Sequence, residues 1–227
     1  MRIGHTPGAF NLIWLVPALP FVSSMLIFAF GRRVRDSGLL ASAAVGGSFV
    51  VSLVLLLALV GHASGDRTFV QHLWSWIHVG SFSADLNLRA DPLSIVMALV
   101  VTGVGCLIHV YSIGYMEHDP KYDRFFAQLN LFVFFMLLLV LADNFLLLYV
   151  GWEGVGLCSY LLIGHWHDRP AAANAAKKAF VVTRIGDAAL LVGIAFIWTT
   201  FHSLAFSRVL EGFPTRVSPS IPPELAA

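Results

Sequence analysis

"LADNFLLLYVGWEGVGLCSYLLIGHW", Leu141 to Trp166, decides how this chain folds. It combines an apolar run long enough to cross a bilayer with a single carboxylate, Glu153, near the middle of that run. A spanning helix needs about 20 mostly apolar residues, and Asn144 to Gly164 supplies them. Glu153 follows Asn144 by about nine residues, which at a rise of about 1.5 Å each is roughly 13 Å of depth. That is close to the midplane of a hydrocarbon core about 30 Å thick. An ionisable side chain there costs about 2.5–3.5 kcal/mol on insertion scales. The Leu, Ile, Phe and Val residues of the same span offset it by something like 3–6 kcal/mol. The helix therefore inserts despite its acid. Because burial disfavours the charged form, a carboxyl so placed is poised to load and release a proton. An acid neutralised by a structural partner is the alternative. Gly151, Gly154 and Gly156 surround Glu153 and admit a closely packed helix or a file of water.

Working outward, five more stretches qualify as spans: Phe10 to Phe30 with Pro17 and Pro20 expected to kink it, Leu39 to Val60, Pro92 to Tyr115, Phe125 to Ala142, and Lys178 to Phe201. Only "ADN" separates the fourth span from the fifth, so they form a tight antiparallel hairpin in which Asp143 can cap the fifth helix. The chain is 227 residues long, 58% hydrophobic and 12% charged, more apolar than a soluble domain needs. A formal net charge of +1 argues against nucleic acid as a partner. Cys106 and Cys158 lie inside apolar runs and read as packing residues rather than a disulfide or metal site. His165 and His167 read as interfacial, and no metal site is expected.

Lys and Arg in the loops set orientation. Arg32, Arg33, Arg35, Lys121, Arg124, Arg169, Lys177 and Lys178 follow the first, third and fifth spans, with "HWHDRPAAANAAKK" read as a loop. Arg2, Arg67, Arg89, Arg208 and Arg216 lie on the other side. This bias places both termini outside. The longest connection, His62 to Ala90, alternates as a short amphipathic ribbon, with Trp74 and Trp76 suited to an interfacial anchor rather than a quinone site. "FPTRVSPSIPPELAA" is a polar, Pro-rich tail.

A second group of charges lies in the sixth span. Arg184 and Asp187 of "RIGD" are three residues apart, on one helix face and within pairing reach. They form either a structural ion pair or a switchable one that alters the field at another buried group. Lys177 and Lys178 read as snorkelling anchors or, more sharply, as a proton entry on the inner side. His109, near the inner end of the third span, is a packing residue or a step on a proton path. No phosphate loop, nucleophile elbow or haem ligand pair is present in the sequence.

The run from "ADPLSIVMALVV" through "GWEGVGLCSYLLIGHW" to "AAKKAFVVTRIGDAALL", most of Ala90 to Leu191, closely resembles the subunit L family of respiratory complex I, the NADH–quinone oxidoreductase whose mitochondrial counterpart is subunit 5. The resemblance implies an all-α membrane protein of about six helices, the first part of an antiporter-like inverted-repeat fold. It also implies a role for Glu153 as the proton-channel acid, paired with a lysine on a seventh helix. Arg184 and Asp187 would be an ion pair linking neighbouring channels. FMN, iron–sulfur clusters and quinone are implied in other subunits, with none in this chain. Other membrane subunits, including neighbouring antiporter-like ones, and the bilayer are the implied partners, and the bacterial plasma membrane the location. Residues 1–89 are expected to hold two helices and the outer loop, 90–202 the start of the proton-translocating domain, and 203–227 a tail. Thr183 replaces a common Asn, and His165 a usual aromatic. Family members are more than twice as long, so a split or truncated gene is the expectation. A cation/proton antiporter subunit and a non-pumping scaffold remain the rivals to a proton-pumping complex I subunit.

Overall fold

The computed structural model describes residues 8–31, 36–63, 67–80 and 82–210. Arg2, Arg32, Arg33, Arg35, Arg216 and the tail from 211 onward lie outside the described residues. The elements run from a 3-10 turn, Gly8–Leu12, through α1 (Leu15–Phe30), α2 (Ser37–Val60), β1 (Phe69–Val79), β2 (Phe82–Ala90), α3 (Pro92–Tyr115), α4 (Tyr122–Val140) and α5 (Phe145–Ile163) to α6 (Pro170–Phe201). Each of the six helices is long and apolar enough to cross a membrane, α1 together with its 3-10 turn. The fold is the expected helical membrane architecture. The amphipathic connection before α3 is an antiparallel hairpin.

α1 packs on α2 and α4, α2 on α3 and α4, α4 on α5, and α5 on α6, which lies at the edge. The main buried cluster joins Phe10, Ile13 and Val16 to Val45, Leu55, Ile95, Leu137 and Leu147. Pro17 falls in the first turn of α1, where a missing N–H costs no helical bond. Pro20 cannot donate to the carbonyl of Val16, and the Ser48 hydroxyl of α2 donates there instead at 2.8 Å. The break in one helix is thus satisfied by its neighbour.

α4 and α5 approach closely through glycine. A Cβ on Gly151 would stand 2.7 Å from the Leu139 backbone, and one on Gly154 would overlap the Phe135 ring. The close helix expected beside Glu153 is α4.

Two sequence expectations are corrected. Asn144, not Asp143, caps α5, accepting from the Leu147 backbone N–H at 2.8 Å from an extended φ of −145°. Both residue types cap helices, but only the one in register with the first turn does so. The sixth helix begins at Pro170 rather than Lys178. Pro at the first helical position and the alanine run after it favour helix, so Lys177 and Lys178 are helical rather than in a loop.

At the end of the bundle opposite the α3–α4 and α5–α6 loops, the hairpin closes over the α4–α5 turn. β2 bridges it through Leu88 and Ala142, and the Arg89 N–H donates to the Leu141 carbonyl at 2.7 Å. The segment after α6 joins the same junction: Asn144 bridges Ala205, and the Phe145 N–H donates to Leu204 at 3.0 Å.

Candidate functional site: an ion-pair cluster between the fifth and sixth helices

Glu153 lies midway along α5, and Arg184 and Asp187 lie midway along α6. Packing of α5 on α6 brings the three together. One guanidinium nitrogen of Arg184 pairs with the Glu153 carboxylate and stands 3.4 Å from Asp187 Oδ2. Its other terminal nitrogen donates to the Glu153 backbone carbonyl at 3.4 Å. Gly156 makes room for this, since a Cβ there would lie 3.2 Å from Arg184 Nη2. The Arg184 side chain also covers the Phe180 ring, its Cζ 4.5 Å from the centroid. A guanidinium is always charged and forks toward two acceptors, so it serves both acids without losing its proton.

Trp152 is the member that sequence reasoning missed. Its indole N–H donates to Asp187 Oδ1 at 2.6 Å, tying the acid of α6 back to α5. Asp187 is 4% exposed, while the Glu153 and Arg184 side chains are 25% and 29% exposed. The place of Trp152 directly before Glu153 hid it, because adjacent residues on a helix point in different directions. Chemically, the cluster holds two carboxylates and one fixed cation. The cation can favour one acid only at the expense of the other.

The other candidates lie apart. His109 is fully buried between helices, its ring nitrogens 2.7 Å from the Gly105 carbonyl and 2.9 Å from Asn130 Oδ1. Asn130 in turn donates to Ser23 Oγ at 2.8 Å, so this chain joins α3, α4 and α1 without reaching Glu153. Lys177 and Lys178 are exposed in the N-terminal part of α6. His165 contacts Asp119 Oδ1 at 3.3 Å, and the Trp166 indole donates to Asp119 Oδ2 at 2.7 Å, linking the α3–α4 and α5–α6 loops. Burial raises the Asp119 carboxyl, but hydrogen bonds from Trp166, the Lys121 backbone and His165 outweigh it and leave it below its ordinary value.

Two family models match the sequence. One, described as NADH-ubiquinone oxidoreductase (complex I), chain 5 N-terminus, covers residues 76–126. The other, NADH:quinone oxidoreductase/Mrp antiporter, TM, covers residues 142–220. The chain is 48% identical over 202 residues to NADH-quinone oxidoreductase subunit L of Mycobacterium tuberculosis, covering 88% of this chain and 32% of that protein. It is 45% identical over 208 residues to the Escherichia coli subunit L, covering 90% and 33% respectively. The chain thus spans about a third of the length of the curated relatives it matches. Among solved structures, a chain of the Mrp complex from Dietzia sp. superposes with a TM-score of 0.74 at 27% identity, over 94% of this chain and 22% of that one. An archaeal membrane-bound sulfane sulfur reductase chain, at 16% identity and a TM-score of 0.76, covers 88% of this chain and 39% of its own length, and shares the fold.

Proposed function

The chain belongs to the subunit L family of NADH–quinone oxidoreductase, and on that premise we propose that it is a proton-translocating membrane segment of such a complex. Electron transfer would take place in other subunits, which would hold the FMN, the iron–sulfur clusters and the quinone. The observation that supports this reading is the three-charge cluster at mid-membrane, Glu153 and Asp187 sharing Arg184. Unit charges 4 Å apart interact by about 4 kcal/mol at an effective dielectric of 20. That is enough to decide whether a carboxyl holds its proton. When Arg184 leans on Asp187, Glu153 is left to bind a proton or a further cation from outside these six helices. When it leans on Glu153, the proton leaves. Lys177 and Lys178 would draw the inner water toward α6, and His109 would serve only a path separate from this cluster.

In this reading the α3–α4 and α5–α6 loops face the inside of a bacterial plasma membrane, and the hairpin and α4–α5 turn face outside. Other antiporter-like membrane subunits would be the neighbours of the domain formed by residues 90–202, with 1–89 and 203–227 flanking it.

The test is Glu153→Gln in the full-length chain, assembled in its complex in inverted membrane vesicles. NADH-driven proton uptake is expected to fall several-fold. Unchanged uptake with intact assembly would leave the chain a scaffold. The likeness to an Mrp complex chain favours one second reading, a cation/proton antiporter subunit. Proton flux that depends on sodium and not on NADH would select it.

A further inference from the structure

Away from the mid-membrane cluster, the outer junction holds a second buried acid. Asp143 sits in the α4–α5 turn, 4% exposed, and its Oδ1 has no hydrogen-bond partner. It lines a cavity of about 120 Å³ together with Asp85, Asn87, Ser203, Ser207 and Arg208. At about 30 Å³ per water, that space holds a few molecules. An unpaired buried carboxylate oxygen is costly unless it gains a proton, a water or a cation.

The groups facing Asp143 come from every element at the junction. β2 supplies Asp85, Asn87 and Arg89, the N-cap of α3 supplies Asp91, and the segment after α6 supplies Arg208. β1 supplies His72, exposed at the surface, whose Nδ1 lies 2.9 Å from Asn87 Oδ1. With its oxygen held by His72, the Asn87 amide is oriented to donate to Asp143. Arg89 is committed to Asp91 at 2.9 Å, so it is not a free counter-ion for Asp143. Between this turn and Glu153, α5 carries no charged residue. Among the described residues no cluster of ligands could hold a metal ion, and the open oxygen of the acid suits a proton.

We propose that this cavity is a proton-binding site on the hairpin side of the protein, in which Asp143 Oδ1 takes a proton delivered as hydronium by the water in the cavity. The step leaves a neutral carboxylic acid and one water. The new O–H can donate within the cavity, at the junction where the hairpin, the α4–α5 turn and the segment after α6 already meet. There the Phe206 N–H donates to the Asp143 carbonyl at 3.1 Å, and the Asn144 amide to the Asp85 carbonyl at 2.8 Å. Loss of the proton restores a buried carboxylate with an unpartnered oxygen, which disfavours the packed junction. In accord with this geometry, burial raises the Asp143 carboxyl to about 6, against the opposing pull of Arg89 and the Asn87 hydrogen bond and with a further push from Asp91.

The inference does not depend on Glu153 carrying protons. A hydrophobic carbodiimide reacts with protonated carboxyls in apolar surroundings, so it reads the site directly. The full-length chain in native membrane vesicles is labelled across a pH series, and the peptides bearing Asp143 and Glu153 are quantified separately by mass spectrometry. Labelling at Asp143 is expected to rise as pH falls through about 6. It is expected to vanish in Asp143→Asn. In Asn87→Ala, which removes a donor to the carboxylate, the midpoint should move to higher pH. Labelling that is absent, independent of pH, or confined to the ordinary carboxylate range near about 4 overturns the proposal. Failure of the Glu153 reading would show instead as unchanged pumping in Glu153→Gln, with the Asp143 titration intact.

Discussion

Arg184 has two acids to serve, and the indole of Trp152 decides how firmly one of them stays put. Trp152→Phe keeps the aromatic bulk but removes the donor that holds Asp187 Oδ1 at 2.6 Å. A hydrogen bond to a charged group contributes about 1.5–3 kcal/mol, so lower thermal stability of the assembled protein is expected. The pH profile of proton uptake should shift with it, because a freed Asp187 competes differently for Arg184. A thermal melt and a pH-resolved uptake assay check both. Two acids outside the spans make opposite predictions. Asp143 is raised from 3.8 to about 6, so the folded state binds its proton more tightly than the unfolded state does. Its stabilising contribution is full below 3.8 and is lost as pH rises through about 6. Backbone amides of β2 should therefore exchange faster, after correction for intrinsic rates, at neutral pH than in mild acid. Asp119 is lowered, so its tie to Trp166 and His165 is present above 3.8 and is lost on acidification.

Among the elements, the α4–α5 pair carries the sharpest steric test. Gly151→Ala puts a methyl 2.7 Å from the Leu139 backbone, where no flexible side chain can yield. Overpacking of this kind costs about 1–3 kcal/mol, and the assembled protein should melt lower. Gly193→Ala in α6 meets nothing within 4 Å and is the neutral control. Asn144→Ala removes the α5 cap and the bond to Asp85 together. Loss of the cap alone costs about 1 kcal/mol, and the same melt measures it. The spans were readable because each is a long apolar run, but the α6 start was misplaced at Lys178, because the polar and charged residues after Pro170 masked a helix that hydrophobicity alone does not mark. The choice between Asp143 and Asn144 as cap was not, since register in a tight turn is set by the strands and helices closing on it.

Over the whole molecule, the helices place the α3–α4 and α5–α6 loops at one end and the hairpin at the other. Single cysteines at Asp168 and at Ser83 are expected to react with an impermeant thiol reagent from opposite faces of sealed vesicles, Asp168 from the inside. Labelling of both from one face would refute six crossings. The sequence by itself determined the number of helices, the depth of Glu153, the pairing distance of Arg184 and Asp187, and the family, because hydrophobic length, helical rise and motif spacing are local properties. Tertiary structure alone decided that Arg184 reaches Glu153, that Trp152 holds Asp187, and that His109 turns to Asn130 instead. It also decided that Asp143 is sealed beneath a hairpin distant in sequence. These contacts depend on which helix faces meet, and that follows from glycine-permitted approach and packing between elements rather than from the order of residues along any one of them.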